Sequence, residues 1–330
     1  MKVSILIVNW NSKDYLRSCL ESVQATCGSL EPEIVVVDGG SFDGCDEMLA
    51  EEYPKVIFVQ SPDNIGFARC NNLGFESVTG DLVILLNPDT ELREGALDLL
   101  LEQLEVLPMA GIVCPRLYNT DGTLQTSSVQ AFPTPLNQSL GSEFLYKLLP
   151  SSGMWKTKEA YQATEPVEVD AVSGACMVMR SELFRKLGGF TKDFFMYAED
   201  MDLCYRARQS GVRIYHVPGA EVVHHGGGSS KTRFNKFSDV MMREALHRYM
   251  VLNHGRLRGF TYRCAMGMSG VVRMTLMGLL LPFGGKSTRK DRWDSIRKWT
   301  AILRWSLGME PWANEMNSKA DSGNLRQATT

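Results

Sequence analysis

Three carboxylates, Glu199, Asp200 and Asp202, fall within four positions of the segment Phe195-Met196-Tyr197-Ala198-Glu199-Asp200-Met201-Asp202-Leu203-Cys204. Apolar residues precede them. Met201, Cys204 and Tyr205 follow at i, i+3, i+4, and Gly211 closes the run. That spacing predicts a helix opened by the acids. The positive end of a helix favours ionised carboxylates, and a carboxylate held there beside apolar surface can act as a general base. Asp200 and Glu199 are the candidates, although an isolated acidic pair at a helix start is more often structural. Asp38 and Asp89 each follow an apolar run, Ile34–Val37 and Leu82–Leu86. Taken singly, each is as well explained by turn capping. His224 leaves another run into His225-Gly226-Gly227-Gly228-Ser229-Ser230, where glycine would let the backbone approach a phosphate closely.

The elements that must position these groups alternate between strand and helix. Val3–Val8, Ile34–Val37, Val56–Val59, Leu82–Leu86 and Ile112–Cys114 read as buried strands. Between them lie helical patterns: one capped by Ser12, one beginning at Ser41, then Gly66–Val78 and Gly95–Leu107. Val212–Val217 and Glu221–Val223 add two more strands. The alternation predicts an α/β fold, a mostly parallel sheet flanked by helices. Ligands of such sheets bind at the carboxyl ends of the strands, where Asp38 and Asp89 both fall. The first strand runs into Asn9-Trp10-Asn11-Ser12 with no Gly-x-Gly-x-x-Gly turn, which excludes a Rossmann dehydrogenase. The polar stretch Pro115–Glu165 is long for a connection and reads as a functional loop or insertion.

The 330 residues carry a net charge of −3. Residues 231–330 hold 18 Lys+Arg and 7 Asp+Glu, a net of +11. Residues 1–230 hold the remaining 17 and 31, a net of −14. An organisational boundary is therefore expected near position 230. The eight cysteines are scattered singly, so neither a zinc ribbon nor a disulfide framework is suggested. The Val3–Val8 run is too short for a signal peptide's apolar region.

Eight segments then occur in one order: Val3-Ser4-Ile5-Leu6-Ile7-Val8-Asn9-Trp10-Asn11; Val35-Val36-Val37-Asp38-Gly39-Gly40-Ser41; Asn64-Ile65-Gly66-Phe67-Ala68 with Asn72-Leu73-Gly74; Leu85-Leu86-Asn87-Pro88-Asp89; Gly174-Ala175-Cys176; Gly188-Gly189-Phe190; Tyr197 through Arg206; and His224 through Ser230. Together, over roughly residues 2–230, they resemble the inverting glycosyltransferases of family 2. These have the GT-A nucleotide-sugar fold and include bacterial rhamnosyltransferases of cell-surface polysaccharide assembly. The resemblance implies Asp200 as catalytic base and Glu199 as a supporting or acceptor-side acid. It implies a nucleotide-sugar site at Asn9, Asp38, Asn64, Asn72, Asn87, Asp89 and Gly174. Asp38 would contact the base or ribose, and for Asn72 a capping or packing role stays open. Asp89 matches the last acid of the family's Asp-x-Asp, while Asn87 stands at its first position. A divalent cation, Mg2+ or Mn2+, would be held by Asp89 and His224, with His225 the less suited of the two histidines. Asp202 is expected to pair with Arg206 one turn on.

The implied donor is dTDP-rhamnose or a UDP-sugar, and the implied acceptor is a lipid-linked or polysaccharide hydroxyl. The alternatives are a nucleotidyltransferase of sugar phosphates and a non-catalytic carbohydrate-binding relative. The expected organisation is a catalytic domain over 1–230, a helical basic extension over 231–313 and a disordered tail over 314–330. Within the extension, Met266–Gly285 is apolar but contains Arg273 and Pro282, which suits an interfacial or packed segment better than a membrane span. Basic residues interleaved with Trp293, Trp299 and Trp305 suit an anionic membrane surface. Peripheral contact through 260–305 is expected, at the cytoplasmic face of the membrane. The acidic body argues against nucleic acid as a partner.

Overall fold

The computed structural model describes residues 1–28, 30–140, 156–226, 235–283 and 285–319. The strands are β1 (Val3–Asn9), β2 (Glu33–Asp38), β3 (Ile57–Gln60), β4 (Leu82–Leu86), β5 (Thr90–Leu92), β6 (Ala110–Tyr118), β7 (Val129–Gln130), β8 (Val167–Glu168), β9 (Ala171–Val172), β10 (Cys176–Arg180) and β11 (Arg213–His224). The first helices are α1 (Lys13–Thr26), α2 (Cys45–Glu52), α3 (Phe67–Phe75) and α4 (Ala96–Val106). They are followed by α5 (Pro135–Leu140), α6 (Lys156–Gln162), α7 (Ser181–Lys186) and α8 (Glu199–Gln209). Four more, α9 (Lys236–His254), α10 (Arg256–Leu280), α11 (Lys286–Ser306) and α12 (Pro311–Lys319), complete the described chain.

The main sheet runs β3-β2-β1-β4-β10-β6-β11-β5. Its first four strands are mutually parallel, and β11 is parallel to β6. β10 enters antiparallel between β4 and β6, and β5 returns antiparallel along the end of β11. Every residue of β1 and β4 is buried, as expected of strands covered on both faces. Ile5 and Ile7 share one core with Leu16 and Leu20 of α1 and Leu97 and Leu100 of α4. On the other face α3 comes so close that a Cβ at Gly74 would lie 2.5 Å from side chains of Leu6 and Val37.

Two local expectations give way to tertiary partners. Ser12 precedes α1, but its hydroxyl donates to Trp10 O, and Asp43 accepts the Lys13 N–H instead, at 2.9 Å. Ser41 opens no helix, because its N–H and hydroxyl are both committed to Asp38; the helix begins at Cys45. The two strands expected over 212–223 form one strand, β11, with a register shift between Val217 and Glu221.

The structure divides into two compact units. The first is Met1–Phe132, Ser151–Thr191 and Glu199–Gly228; the second is Pro133–Pro150, Lys192–Ala198 and Ser229–Thr330. The second therefore also recruits segments from within the expected 1–230 domain. Polar contacts explain this: Ser269 donates to Ser139 O at 2.8 Å, and Phe195 N–H donates to Asn317 Oδ1 at 2.7 Å. The disorder expected from 314 is corrected over 314–319. Those residues continue α12, where Asn317 is buried and caps the Phe195 amide. The rest of that tail lies outside the described residues.

The interfacial role expected of three tryptophans is corrected for two of them. Trp305 is buried and donates to Glu244 Oε2 at 2.8 Å, with Arg263 over its ring. Trp299 is buried under Arg273. Only Trp293 of the three is exposed. Among the described residues no helix is long and apolar enough to cross a membrane.

Candidate active site

The carboxyl ends of β1, β2 and β4 carry Asn9, Asp38 and, just beyond β4, Asn87-Pro88-Asp89. Strand register does the rest. β5 pairs Thr90 with His224, so Asp89 and His224 meet: His224 Nε2 lies 3.2 Å from Asp89 Oδ1. The backbone seals this junction, since His225 N–H donates to Asp89 O at 2.9 Å.

The tautomer of His224 follows from its neighbours. Gln125 Nε2 donates to Asn119 Oδ1 at 3.0 Å and to His224 O at 3.3 Å, which turns its Oε1 toward His224 Nδ1, 2.7 Å away. Nδ1 must then be the donor, which leaves Nε2 as the ring nitrogen that faces the Asp89 carboxylate. An imidazole nitrogen and a carboxylate oxygen side by side, with the outer ring nitrogen fixed, is the donor arrangement of a divalent-cation site. Nearby, Asn87 Oδ1 is buried with no partner among the described residues. These residues fit the expected metal. Gln125 escaped the sequence reading because it lies in an unpatterned segment, 99 residues before the histidine it orients. His225 is occupied elsewhere, by Glu91 at 2.7 Å and Thr120 at 3.0 Å. The Gly227–Ser230 part of the expected glycine loop lies outside the described residues.

At the opening of α8, Asp200 accepts from Gly174 N at 3.0 Å and from Met201 N at 2.7 Å. Ala175 O in turn accepts from Asn87 N at 2.9 Å, so one run of backbone links Asp200 to the Asn87–Asp89 turn. Glu199 is buried, and its Oε2 has no partner among the described residues. Burial pushes the Glu199 carboxyl well above its ordinary range, and the Asp200 charge pushes it further. Burial also raises Asp200, but the Gly174 and Met201 amides counter it. Of the two, Asp200 is therefore the more readily ionised. Tyr197 and Ala198 lead into the helix with φ of 70° and 61°, a left-handed backbone that non-glycine residues adopt at a cost. Asp202 does pair with Arg206, at 2.7 Å, and Arg206 also ties down Leu187 O and Gly189 O.

Two residues of the expected nucleotide-sugar site are engaged within the protein. Asn72 is engaged in a reciprocal pair with the Phe190 backbone, at 2.8 Å in each direction, so its amide is used in packing. Asp38 is fully buried, with donors on both oxygens: Asn9 at 3.1 Å, Ser41 N at 2.9 Å, Phe42 N at 3.1 Å and Gln60 at 2.8 Å. Burial would raise its pKa, but these hydrogen bonds prevail and lower it. It anchors the Gly39–Asp43 turn. That turn seats against the segment of Asn64, where a Cβ on Gly40 (φ +78°) would come within 2.5 Å of the Asp63 backbone. Asn64 itself is exposed and accepts from Gly66 N at 3.1 Å. Asn9 is buried and bridges Asp38 and Asp43 through Nδ2, while its Oδ1 is left without a partner among the described residues.

Asp38, Asp43 and Cys45 bring ligand atoms within 4.8 Å of one another. Asn9 Nδ2 donates to both of these acids, and burial and the adjacent Asp43 push the Cys45 thiol far up.

An α/β sheet with acids and a histidine at its carboxyl edge is the architecture of nucleotide-sugar enzymes of the GT-A type. The chain superposes on the mannosyltransferase PcManGT from Pyrobaculum calidifontis, solved in complex with GDP-Man and Mn2+, with a TM-score of 0.55 and 16% identity over 99% of this chain and 88% of that one. GalNAc-T7, solved with UDP, GalNAc and Mn2+, matches at TM-score 0.55 and 16% identity over 93% of this chain and 57% of that one. Residues 4–188 match the model of glycosyl transferase family 2, and the chain belongs to that family. It is 31% identical over 60% of its length, and 67% of the relative's, to an N-acetylglucosaminyl-diphospho-decaprenol L-rhamnosyltransferase of Mycobacterium tuberculosis. It is 25% identical to the rhamnosyltransferase WbbL of Escherichia coli, over 71% of this chain and 87% of that protein. The protein is a glycosyltransferase.

Proposed function

We propose that this enzyme transfers rhamnose, with inversion, from dTDP-rhamnose to a hydroxyl of a diphosphate-linked lipid acceptor at the cytoplasmic membrane face. The relatives named rhamnosyltransferases support the sugar, and the decaprenol-linked one supports the acceptor class. The observation that carries the chemistry is the placement of Asp200 at the start of α8, tied through the Gly174-Ala175 backbone to the Asn87–Asp89 turn. Asp200 takes the acceptor proton as the hydroxyl attacks the anomeric carbon. Glu199, buried beside it, has its carboxyl pushed well above the ordinary range and ionises less readily. The Gly174 and Met201 amides hold the base in place. At the other end, Asp89 and His224 would hold a divalent cation, whose chemistry there would be to neutralise charge on the departing diphosphate. Asn9, Asp38 and Asn64 shape the turn against which the nucleotide lies.

The test is direct. The purified protein with Mn2+ is offered dTDP-rhamnose and a panel of UDP-sugars, with a diphospho-lipid acceptor analogue. Release of dTDP and an inverted glycosidic product by NMR are expected. In a parallel arm with dTTP or UTP and a sugar 1-phosphate, pyrophosphate release would make it a nucleotidyltransferase instead, and no product in either arm would favour a binding protein.

A further inference from the structure

Helix α10 leaves one long face uncovered. Leu257, Phe260, Met268, Val272, Leu276 and Leu279 are 50–76% exposed. With exposed Cys264 between Phe260 and Met268, their spacing repeats every three or four positions, so they lie on one side of the helix, over roughly 33 Å at 1.5 Å per residue. Thr261, Cys264 and Thr275 share that side, and no charged residue falls on it from Phe260 to Leu280. The opposite side is packed. Arg263 and Arg273 turn inward over Trp305 and Trp299 of α11, and a Cβ on Gly267 would fall 2.8 Å from Ser306 Oγ. At the hairpin tip Phe283 is also exposed. The rim is cationic. Arg256 and Arg258 flank the start of the face, and Arg289, Lys290 and Arg297 are exposed along α11 beside Trp293. Residues 256–306 carry 11 Lys+Arg and 2 Asp+Glu.

We infer that this face is a monotopic membrane anchor, seated in the interfacial layer of an anionic bilayer. A soluble monomer rarely leaves so large an apolar stripe in water. The charge pattern selects the occupant: an apolar stripe bordered by arginine, lysine and tryptophan matches acyl chains beneath anionic headgroups. The helix is amphipathic, which places it on the membrane rather than across it. Sequence spacing had placed Trp299 and Trp305 at this surface; the structure replaces them with the α10 stripe. The inference rests on the proposed lipid-linked acceptor for its purpose, because a surface-bound enzyme meets that acceptor at high local concentration.

The test uses the full chain with two vesicle compositions, pure phosphatidylcholine and the same lipid with phosphatidylglycerol. Wild type should co-sediment with the anionic vesicles at low salt and release as salt rises. Val272→Asp combined with Leu279→Asp should weaken partitioning at least tenfold, and Arg289→Glu with Lys290→Glu should remove the preference for anionic lipid. All these positions are exposed, so an unchanged thermal midpoint is expected and confirms folding. dTDP-sugar hydrolysis without lipid should be unaffected by either pair, which separates this surface from the catalytic reading. No binding to anionic vesicles, or equal binding by the aspartate pair, overturns the inference. So does a wild-type dimer by light scattering that the aspartate pair converts to monomer without any vesicle binding, since a second copy would then be the occupant.

Discussion

Gln125 is the residue whose loss best tests the metal centre. Its side chain makes three hydrogen bonds, to His224 Nδ1 at 2.7 Å, to Asn119 Oδ1 at 3.0 Å and to His224 O at 3.3 Å. Gln125→Leu removes all three at similar size. His224 would keep its place on β11 but lose its ring orientation and its fixed tautomer. Removing such an outer partner costs about 10–100-fold in metal affinity, or about 1.4–2.8 kcal/mol. Titration of Mn2+ into the enzyme with bound nucleotide, by calorimetry, should show that weakening. Turnover at saturating Mn2+ should stay within about threefold of wild type, because no group at the reacting atoms is lost. Gln125→Glu keeps an acceptor but adds a charge that favours the protonated ring, so its Mn2+ affinity should recover as pH rises. Unchanged Mn2+ affinity in Gln125→Leu, with a large loss in His224→Ala, would refute the orienting role. Unchanged affinity in both would remove the cation from Asp89 and His224.

Asp200→Asn should lower kcat by about 10²–10⁴-fold and leave donor affinity within about threefold, read from steady-state rates and nucleotide titration. Burial raises the Asp200 pKa, so the acid limb of the wild-type kcat profile should lie above the ordinary aspartate value of about 3.9. Glu199 is raised further, so its burial costs stability as pH climbs above its unfolded value of about 4.3; Glu199→Gln should match wild type at low pH and exceed it in thermal midpoint at pH 8. Glu310 is the opposite case: burial opposes ionisation, but Lys236, Arg304 and Trp312 outweigh it and bring the pKa to about 2. Its contribution is present at neutral pH and lost as pH falls toward 2, so Glu310→Gln should cost about 1 kcal/mol at pH 7, with half-exposed partners screening the rest, and progressively less in acid.

Much of the catalytic unit was legible because its signals are local. Buried strands of β-branched and leucine residues, each followed by a polar turn, mark the sheet and its carboxyl edge. Asp89, Asp200 and His224 stand at strand or helix ends, where geometry is nearly set by the element itself. The misreadings share a different cause: a distant partner outcompeted the local rule. Ser12 yields the α1 amide to Asp43, and Ser41 is claimed by Asp38. Asn72 sits in a family motif, yet Phe190, 118 residues on, takes its amide. Trp299 and Trp305 look interfacial in one dimension and become core once α10 lies against them. Gln125 carries no local signal at all.

The departure at Asn87 and the attachment of Gln125 to His224 belong to one argument. A site with two acids gathers a cation by charge and tolerates loose ligand geometry. Replacing the first acid by Asn87 removes one negative charge, and what remains is Asp89 with neutral donors. Neutral donors hold a cation only if they are already aimed, because they contribute little long-range attraction to offset the entropy of ordering. The structure supplies that aim in three ways. Thr90–His224 pairing sets the histidine beside Asp89, the His225 amide locks the Asp89 carbonyl, and Gln125 fixes the imidazole. An imidazole ligand also favours Mn2+ over Mg2+, which prefers oxygen and water. Restoring Asn87→Asp should therefore strengthen Mg2+ binding more than Mn2+ binding and make Gln125→Leu less damaging. That non-additivity, measured as a double-mutant cycle in metal affinity, distinguishes compensation from coincidence. Strictly additive effects would mean that the two features are unrelated.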